Sequence, residues 1–324
     1  MAKKQGDYLS IDFIMDRKRR IVGMSPAIDM IMHGVSEGTL NIISGPEKSG
    51  KTTTLLHHAA KAQKQGFDVY YFNIENRLKR RDLESIAGLD LEKLNFVSST
   101  AAVRDKDGEI ITPARILTAE DYLTILERTI RDKEGTLCIL DSESLLVSNN
   151  EYTSEITDFQ RCEGSRLLAK FMRRNSAVIS LNNHIVWVVR HIMANPNGMT
   201  GSSEKGARAI AYGADTKLQI KYTERWKDGE KQIGQKVHFQ LECGFNPGAF
   251  TGSTCTGYLR YGYGLDDTFE LATLATELGV AEMKGAWINY DGKKYQGMEN
   301  FTSALRENQE TQDKLDKELK ELLK

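Results

Sequence analysis

Before residue 190 the chain carries four short apolar runs, each broken off by a polar residue. They are Leu40-Asn41-Ile42-Ile43, Val69-Tyr70-Tyr71-Phe72-Asn73-Ile74, Thr136-Leu137-Cys138-Ile139-Leu140 and Ile185-Val186-Trp187-Val188-Val189. Between them the pattern is helical. Thr52 to Gln65 reads as a helix closed at Gly66. Thr118 to Arg131 is opened by a capping box of Thr118 and Asp121, and a long helix runs roughly from Asp158 to Arg174. Buried strands alternating with helices predict an α/β fold with a mostly parallel sheet wrapped by helices. Three later segments, Thr216 to Tyr222, Lys236 to Leu241 and Gly257 to Tyr261, read as strands joined by hairpin-like turns, an antiparallel extension of that sheet.

Two stretches interrupt the rhythm. Asn149 to Thr157 is polar and patternless, and Met193 to Ala207 holds Asn-Pro, Asn-Gly, further glycines and a Ser-Ser pair. Loops of that length inside a compact domain are usually functional or disordered. After about Leu265 the composition shifts toward short helices around Gly285-Ala286-Trp287-Ile288-Asn289-Tyr290, the mark of a small second domain. Ser303 to Lys324 reads as one charged helix with leucines at 315, 319, 322 and 323. The expected division is a lead-in over 1–34, a core over 35–265 and a small α+β C-terminal domain over 266–324.

Bulk composition narrows the classes. A formal charge of −1 with 27% charged residues leaves no global basic excess, so a nucleic-acid surface has to be local. Cys138, Cys162, Cys243 and Cys255 lack metal-ligand spacing. No secretory signal opens the chain, so they read as free thiols of a cytoplasmic protein. No apolar run approaches the ~20 residues that span a bilayer.

The chemistry is concentrated in Gly45-Pro46-Glu47-Lys48-Ser49-Gly50-Lys51-Thr52, a G-x-x-x-x-G-K-T phosphate loop lying between an apolar strand and a helix. Glycines at both ends let successive backbone N–H groups turn toward phosphates, Lys51 adds a cation and the Thr52 hydroxyl completes the shell of a Mg²⁺ ion. The helix N-terminus adds its own preference for anions. An ATPase also needs an acid to hold the metal shell and a group to align water. Asp141, at the end of an apolar strand, fits the first role; Glu75, ending the strand after the phosphate-loop helix, fits the second. Each is also what a turn-capping acid looks like. His191, at the end of the next strand, stands between the nucleotide edge and the glycine-rich loop, where it can report the γ-phosphate. Arg161, Arg166, Lys170, Arg173 and Arg174 fall within fourteen residues, and the last four share one helix face, a local patch for a phosphate backbone.

These residues resemble the RecA recombinase family. The loop through Thr53 resembles its G-P-E-x-S-G-K-T-T; the spacing to Phe72-Asn73-Ile74-Glu75 and Ile139-Leu140-Asp141-Ser142 is similar. So is Lys284-Gly285-Ala286-Trp287 followed by Tyr290-Asp291-Gly292-Lys293-Lys294, Gly297 and Asn300. The likeness covers roughly 20 to 320 and leans toward the phage-encoded branch, similar to UvsX-type recombinases. It implies an ATP- and Mg²⁺-dependent ATPase that polymerises as a helical filament on single-stranded DNA, with ATP between protomers. That filament would pair with homologous duplex DNA and exchange strands, served by a loading mediator and a single-strand-binding protein, in the host cytoplasm. It makes Glu75 the catalytic glutamate and His191 the γ-phosphate sensor. It makes 149–161 and 192–207 the DNA-binding loops, with Met193, Asn195, Gly198 and Met199 in the second. Arg161, Arg166 and Arg173 would face DNA phosphates, as would Gly206, Ala207 and Arg208 at the helix start beyond the second loop. Tyr212 would match an interface aromatic.

Departures accompany the likeness. Leu241-Glu242-Cys243-Gly244-Phe245-Asn246 lacks the two lysines that the family extends to the neighbouring protomer's γ-phosphate, leaving Lys217, Lys221 or Arg225 as substitutes. Arg77-Leu78-Lys79-Arg80-Arg81-Asp82 lacks the adenine-stacking tyrosine, and only Arg17-Lys18-Arg19-Arg20 resembles a docking arm. Two other readings use the same Gly45–Thr52, Glu75 and Asp141: a ring helicase core or regulatory ATPase of the same fold, and an ATP-dependent DNA-binding scaffold with weak turnover.

Overall fold

Apolar strands that must hide both faces need a helical layer on each side. The computed structural model describes residues 18–322 apart from 105, 107–108, 156, 158–162 and 193–212. In chain order, β1 (Ile21–Val22), α1 (Pro26–Met32) and β2 (Val35–Ser36) lead into β3 (Thr39–Gly45), α2 (Lys51–Lys64), β4 (Asp68–Asn73), α3 (Arg80–Glu84) and β5 (Leu94–Ser98). The hairpin β6 (Val103–Arg104) and β7 (Ile110–Thr112) precedes α4 (Ala119–Asp132), β8 (Thr136–Asp141), α5 (Asn149–Thr153), α6 (Glu163–Leu181) and β9 (Ile185–His191). Then come β10 (Thr216–Asp228), β11 (Lys231–Cys243), β12 (Thr254–Arg260) and β13 (Gly264–Leu265).

The strands form a nine-stranded sheet in the order β13-β12-β11-β10-β3-β9-β8-β4-β5, parallel from β10 to β5 and antiparallel beyond. The three expected late strands are all present, with β10 and β11 twice as long as their apolar centres suggested. On one face Leu55, Leu56 and Ala59 of α2 pack on Ile43, Tyr71, Ile139, Trp187 and Val189. On the other, Leu126 of α4 and Leu168 and Phe171 of α6 cover Ile42, Phe72, Leu140 and Val188. The capping box of α4 is in place: Asp121 Oδ2 accepts from the Thr118 N–H and hydroxyl, both at 3.0 Å.

Three expectations are overturned. The patternless 149–157 stretch contains α5, nucleated by Ser148 Oγ accepting from the Glu151 N–H at 3.1 Å, because one cap sustains a short turn without an apolar stripe. The region around Gly285 is a three-stranded antiparallel sheet of β14 (Glu282–Lys284), β15 (Trp287–Tyr290) and β16 (Lys293–Gln296). Ile288 and Tyr290 alternate inward, and Asp291-Gly292, at φ 50° and 72°, makes the tight turn. The single charged C-terminal helix is two, α8 (Gly297–Glu307) and α9 (Gln309–Leu322), because Asn308 turns extended and accepts from the Thr311 N–H at 3.0 Å. With α7 (Asp267–Glu277) these elements enclose a separate core of Leu271, Ala275, Ile288, Phe301, Leu305, Leu315 and Leu319; Leu322 stays exposed.

Glu270 of α7 sits where that unit meets the sheet. Fully buried, it accepts from the Ala27 and Tyr258 N–H groups, both at 3.0 Å, and burial pushes its carboxyl up to about 8. A folded-state value above the unfolded one, about 4.3, means that its contribution is full below that unfolded value and disappears as pH rises through the folded one. Chemical denaturation of the nucleotide-free protein should therefore show stability falling from mildly acidic pH up to about 8, and Glu270→Gln should lose that one-proton slope.

Candidate functional site

Parallel pairing places the C-terminal ends of β3, β9, β8 and β4 along one edge of the sheet. Gly45 is in register with His191, and Asn73 with Asp141. The segment Pro46–Gly50 leaves β3 at that edge and feeds α2, with Gly50 as N-cap at φ 97°. Lys51 Nζ folds back onto its own loop, donating to the carbonyls of Gly45 at 3.0 Å and Pro46 at 2.6 Å. Ser49 Oγ donates to the Pro46 carbonyl at 2.8 Å. Burial holds the Lys51 ammonium below its ordinary range, against the opposing pull of Asp141, Glu75 and Glu47.

Asp141 is nearly buried, and its Oδ2 accepts from the Thr52 hydroxyl at 2.5 Å and the Tyr71 hydroxyl at 2.6 Å. Burial raises the carboxyl above its usual range, and the two hydroxyl donors and His191 counter it; burial, and after it the Asp141 anion, lifts the Tyr71 hydroxyl well above a free phenol. Glu75 Oε1 accepts from Ser142 Oγ at 2.9 Å and lies 2.6 Å from His191 Nε2. Glu75, Asp141 and His191 thus bring one donor atom each within 4.8 Å of one another. Thr52 and Asp141 supply the hard oxygens that suit Mg²⁺, while His191 is engaged with Glu75.

A cavity of about 380 Å³ runs from Thr52 and Thr53 past Glu75 and Asp141 to a wall of Leu78, Ile86, Leu259 and Tyr261. Acid, loop and apolar wall at one strand edge suit a charged ligand with a planar apolar end. Apart from Leu78, in the segment matched to the adenine-stacking position, the sequence reading missed that wall. Leu259 and Tyr261 come from the far end of the antiparallel extension, where the sequence offered only a strand over Gly257 to Tyr261 and no sign of a ligand. It placed Arg77 in that same segment but missed its approach to the acid: the guanidinium stands 3.7 Å from Glu75 Oε2.

The basic face of α6 is present and exposed. Arg166 leans on Glu163 at 3.2 Å and Arg174 on Glu127 at 3.1 Å, while Lys170 and Arg173 project into solvent. Two cations of the expected docking arm serve their own chain: Arg20 pairs with Glu37 at 2.8 Å and Arg19 donates to Ser180 Oγ at 2.9 Å. Arg161, Met193, Asn195, Gly198, Met199, Gly206, Ala207, Arg208 and Tyr212 lie outside the described residues, as do Arg17 and Cys162. Among the described residues no helix is long and apolar enough to cross a membrane.

Comparison with known proteins agrees with this geometry. The RecA N-terminal domain family matches residues 20–243 and the RecA C-terminal domain family residues 270–324. The chain belongs to the RecA family. It is 26% identical over 293 residues to Protein RecA of Macrococcus caseolyticus (strain JCSC5402), covering 90% of this chain and 77% of that one. Protein RecA of Rickettsia canadensis (strain McKiel) is 28% identical over 291 residues, 89% of this chain and 79% of its own. That of Frankia casuarinae is 28% identical over 293 residues, 90% and 79%. RecA-family proteins are DNA-dependent ATPases of homologous recombination and repair, and this chain is one of them.

Gly50 exposes the site's narrowest tolerance. A Cβ there would stand 2.7 Å from Leu259 Cδ1, on a backbone that L-residues rarely adopt. Gly50→Ala should cost about 1–3 kcal/mol in thermal unfolding and abolish binding of a fluorescent ATP analogue, since strain and clash fall on the loop and the cavity wall together.

Proposed function

We propose that the chain binds Mg²⁺–ATP at the Gly45–Thr53 edge and assembles on single-stranded DNA as a helical filament that pairs with homologous duplex and exchanges strands. The observation that supports this most is the meeting of Lys51, Thr52, Asp141, Glu75 and His191 at four strand ends of one sheet edge, with Thr52, Glu75 and Asp141 lining one cavity and His191 in contact with Glu75. In this reading Gly45, Pro46, Glu47, Lys48, Ser49, Gly50 and Thr53 cradle the phosphates, with Lys51 turning from its own carbonyls to phosphate oxygens. Thr52 and Asp141 hold the metal, which, when bound, neutralises charge on the transferring phosphoryl group. Glu75 orients and polarises the attacking water. His191, in contact with Glu75, carries the state of the γ-phosphate to the residues after 192.

The exposed Lys170 and Arg173, with Arg161 and Arg166, contact the DNA backbone, and the segments 149–161 and 192–208 grip the strand. Sequence is read by base pairing. A cation for the neighbouring protomer's γ-phosphate comes from β10, where Lys217, Lys221 and Arg225 lie. Histidine at position 191 supports placing the chain in the phage-encoded branch. Action in the host cytoplasm, with a loading mediator and a single-strand-binding protein, follows from that placement. A ring helicase would leave the C-terminal match unexplained, so the recombinase reading is preferred.

ATP hydrolysis with and without single-stranded DNA, with negative-stain images of both samples, tests this. Turnover stimulated by DNA and open helical filaments are expected; closed rings, or turnover indifferent to DNA, would sink the reading. Glu75→Ala should keep ATP-dependent filaments while losing at least about 100-fold in turnover, whereas a scaffold would lose nothing. Arg173→Ala should weaken DNA binding regardless of sequence and lower the salt slope by about one.

A further inference from the structure

Glu75 is held by Ser142 and His191, and the two strand ends carrying those residues are themselves tied together behind the site. Arg190, the residue before His191, forms a fork on Glu143, the residue after Ser142. Its Nε donates to Oε1, and its Nη2 to Oε2 at 3.3 Å. Both residues are only 6% exposed. Successive strand residues face opposite sides. Trp187 and Val189 belong to the α2 side of the sheet and Val186 and Val188 to the α4–α6 side, so Arg190 lies opposite His191, away from the nucleotide cavity.

A buried charge pair is a poor source of stability, because apolar residues of similar volume often do as well or better. What a two-pronged guanidinium–carboxylate contact does supply is direction, since it fixes both distance and plane. Here the fork joins the start of the turn Glu143–Leu145 to the last strand position before His191, and the same two chain segments converge on Glu75 Oε1. We propose that Glu143 and Arg190 are positioning residues for Glu75: they set the spacing of Ser142 and His191, and through them the aim of the catalytic carboxylate. This rests on the reading of Glu75 as the group that orients water. A misplacement of about 1 Å at such a group costs about 100-fold in rate.

The test uses the full chain and the double variant Glu143→Leu/Arg190→Met, which removes both charges and keeps the volume. Thermal unfolding, calorimetric affinity for a non-hydrolysable Mg²⁺–ATP analogue, kcat and KM on single-stranded DNA, and the His191 ring ¹⁵N signal of the nucleotide-free protein would be measured. The expected result is an unchanged or higher melting temperature, analogue affinity and KM within about twofold, a kcat lower by about 10- to 100-fold, and a shifted His191 signal as its bond to Glu75 loosens. Wild-type kcat with an unmoved His191 signal in the folded double variant would overturn the proposal. Should that variant fail to fold, Arg190→Lys keeps the charge but loses the fork. The same drop in kcat is expected there, and wild-type kcat in a folded Arg190→Lys protein would equally overturn it. Wild-type protein without turnover would instead sink the parent reading, and this one with it.

Discussion

The site depends on parallel strand pairing. Because β3, β9, β8 and β4 run the same way, residues as far apart as Glu75 and His191, 116 positions along the chain, finish at one edge of the sheet. The edge is also where α2 begins, so the positive end of a helix and a turn of polar backbone meet there. An antiparallel sheet would have sent half of these ends to the far side. The two helical layers make the arrangement affordable, since apolar packing on both faces leaves only the edge open for charged groups.

At that edge the charges turned away from bulk water already have partners. Lys51 rests on two loop carbonyls, Asp141 on two hydroxyls, and Glu75 on Ser142 and His191. Charged groups leaving bulk water need such partners. Those contacts fix the Asp141 and Glu75 carboxylates beside one another at the mouth of the cavity. Behind this layer the Arg190–Glu143 pair ties two of the strand ends, which extends the constraint from contact with ligand to the backbone that carries it.

The C-terminal unit shows where reading a pattern goes astray. Gly285 to Gln296 is short and polar between its apolar residues, and a period of two over four residues does not distinguish strand from helix. Ile288 and Tyr290 settle it by reaching Phe301, a partner from a later helix. Likewise Asn308 breaks the charged terminal helix with one side-chain cap, a local event that leucine spacing does not reveal.

The sequence by itself determined the class of fold, the phosphate loop and the strand-end acids. Each of those is written in contiguous residues: apolar runs, the eight-residue loop, and Glu75 and Asp141 immediately after their apolar runs. Tertiary structure alone decided which side chains share the site. The Tyr71 hydroxyl on Asp141, the Leu259–Tyr261 wall, Arg77 beside Glu75 and the Arg190–Glu143 fork all join elements remote in sequence. The reason is physical. Secondary structure follows from local periodicity, whereas the company a side chain keeps depends on strand order and register, which emerge only when both faces of the sheet are buried together.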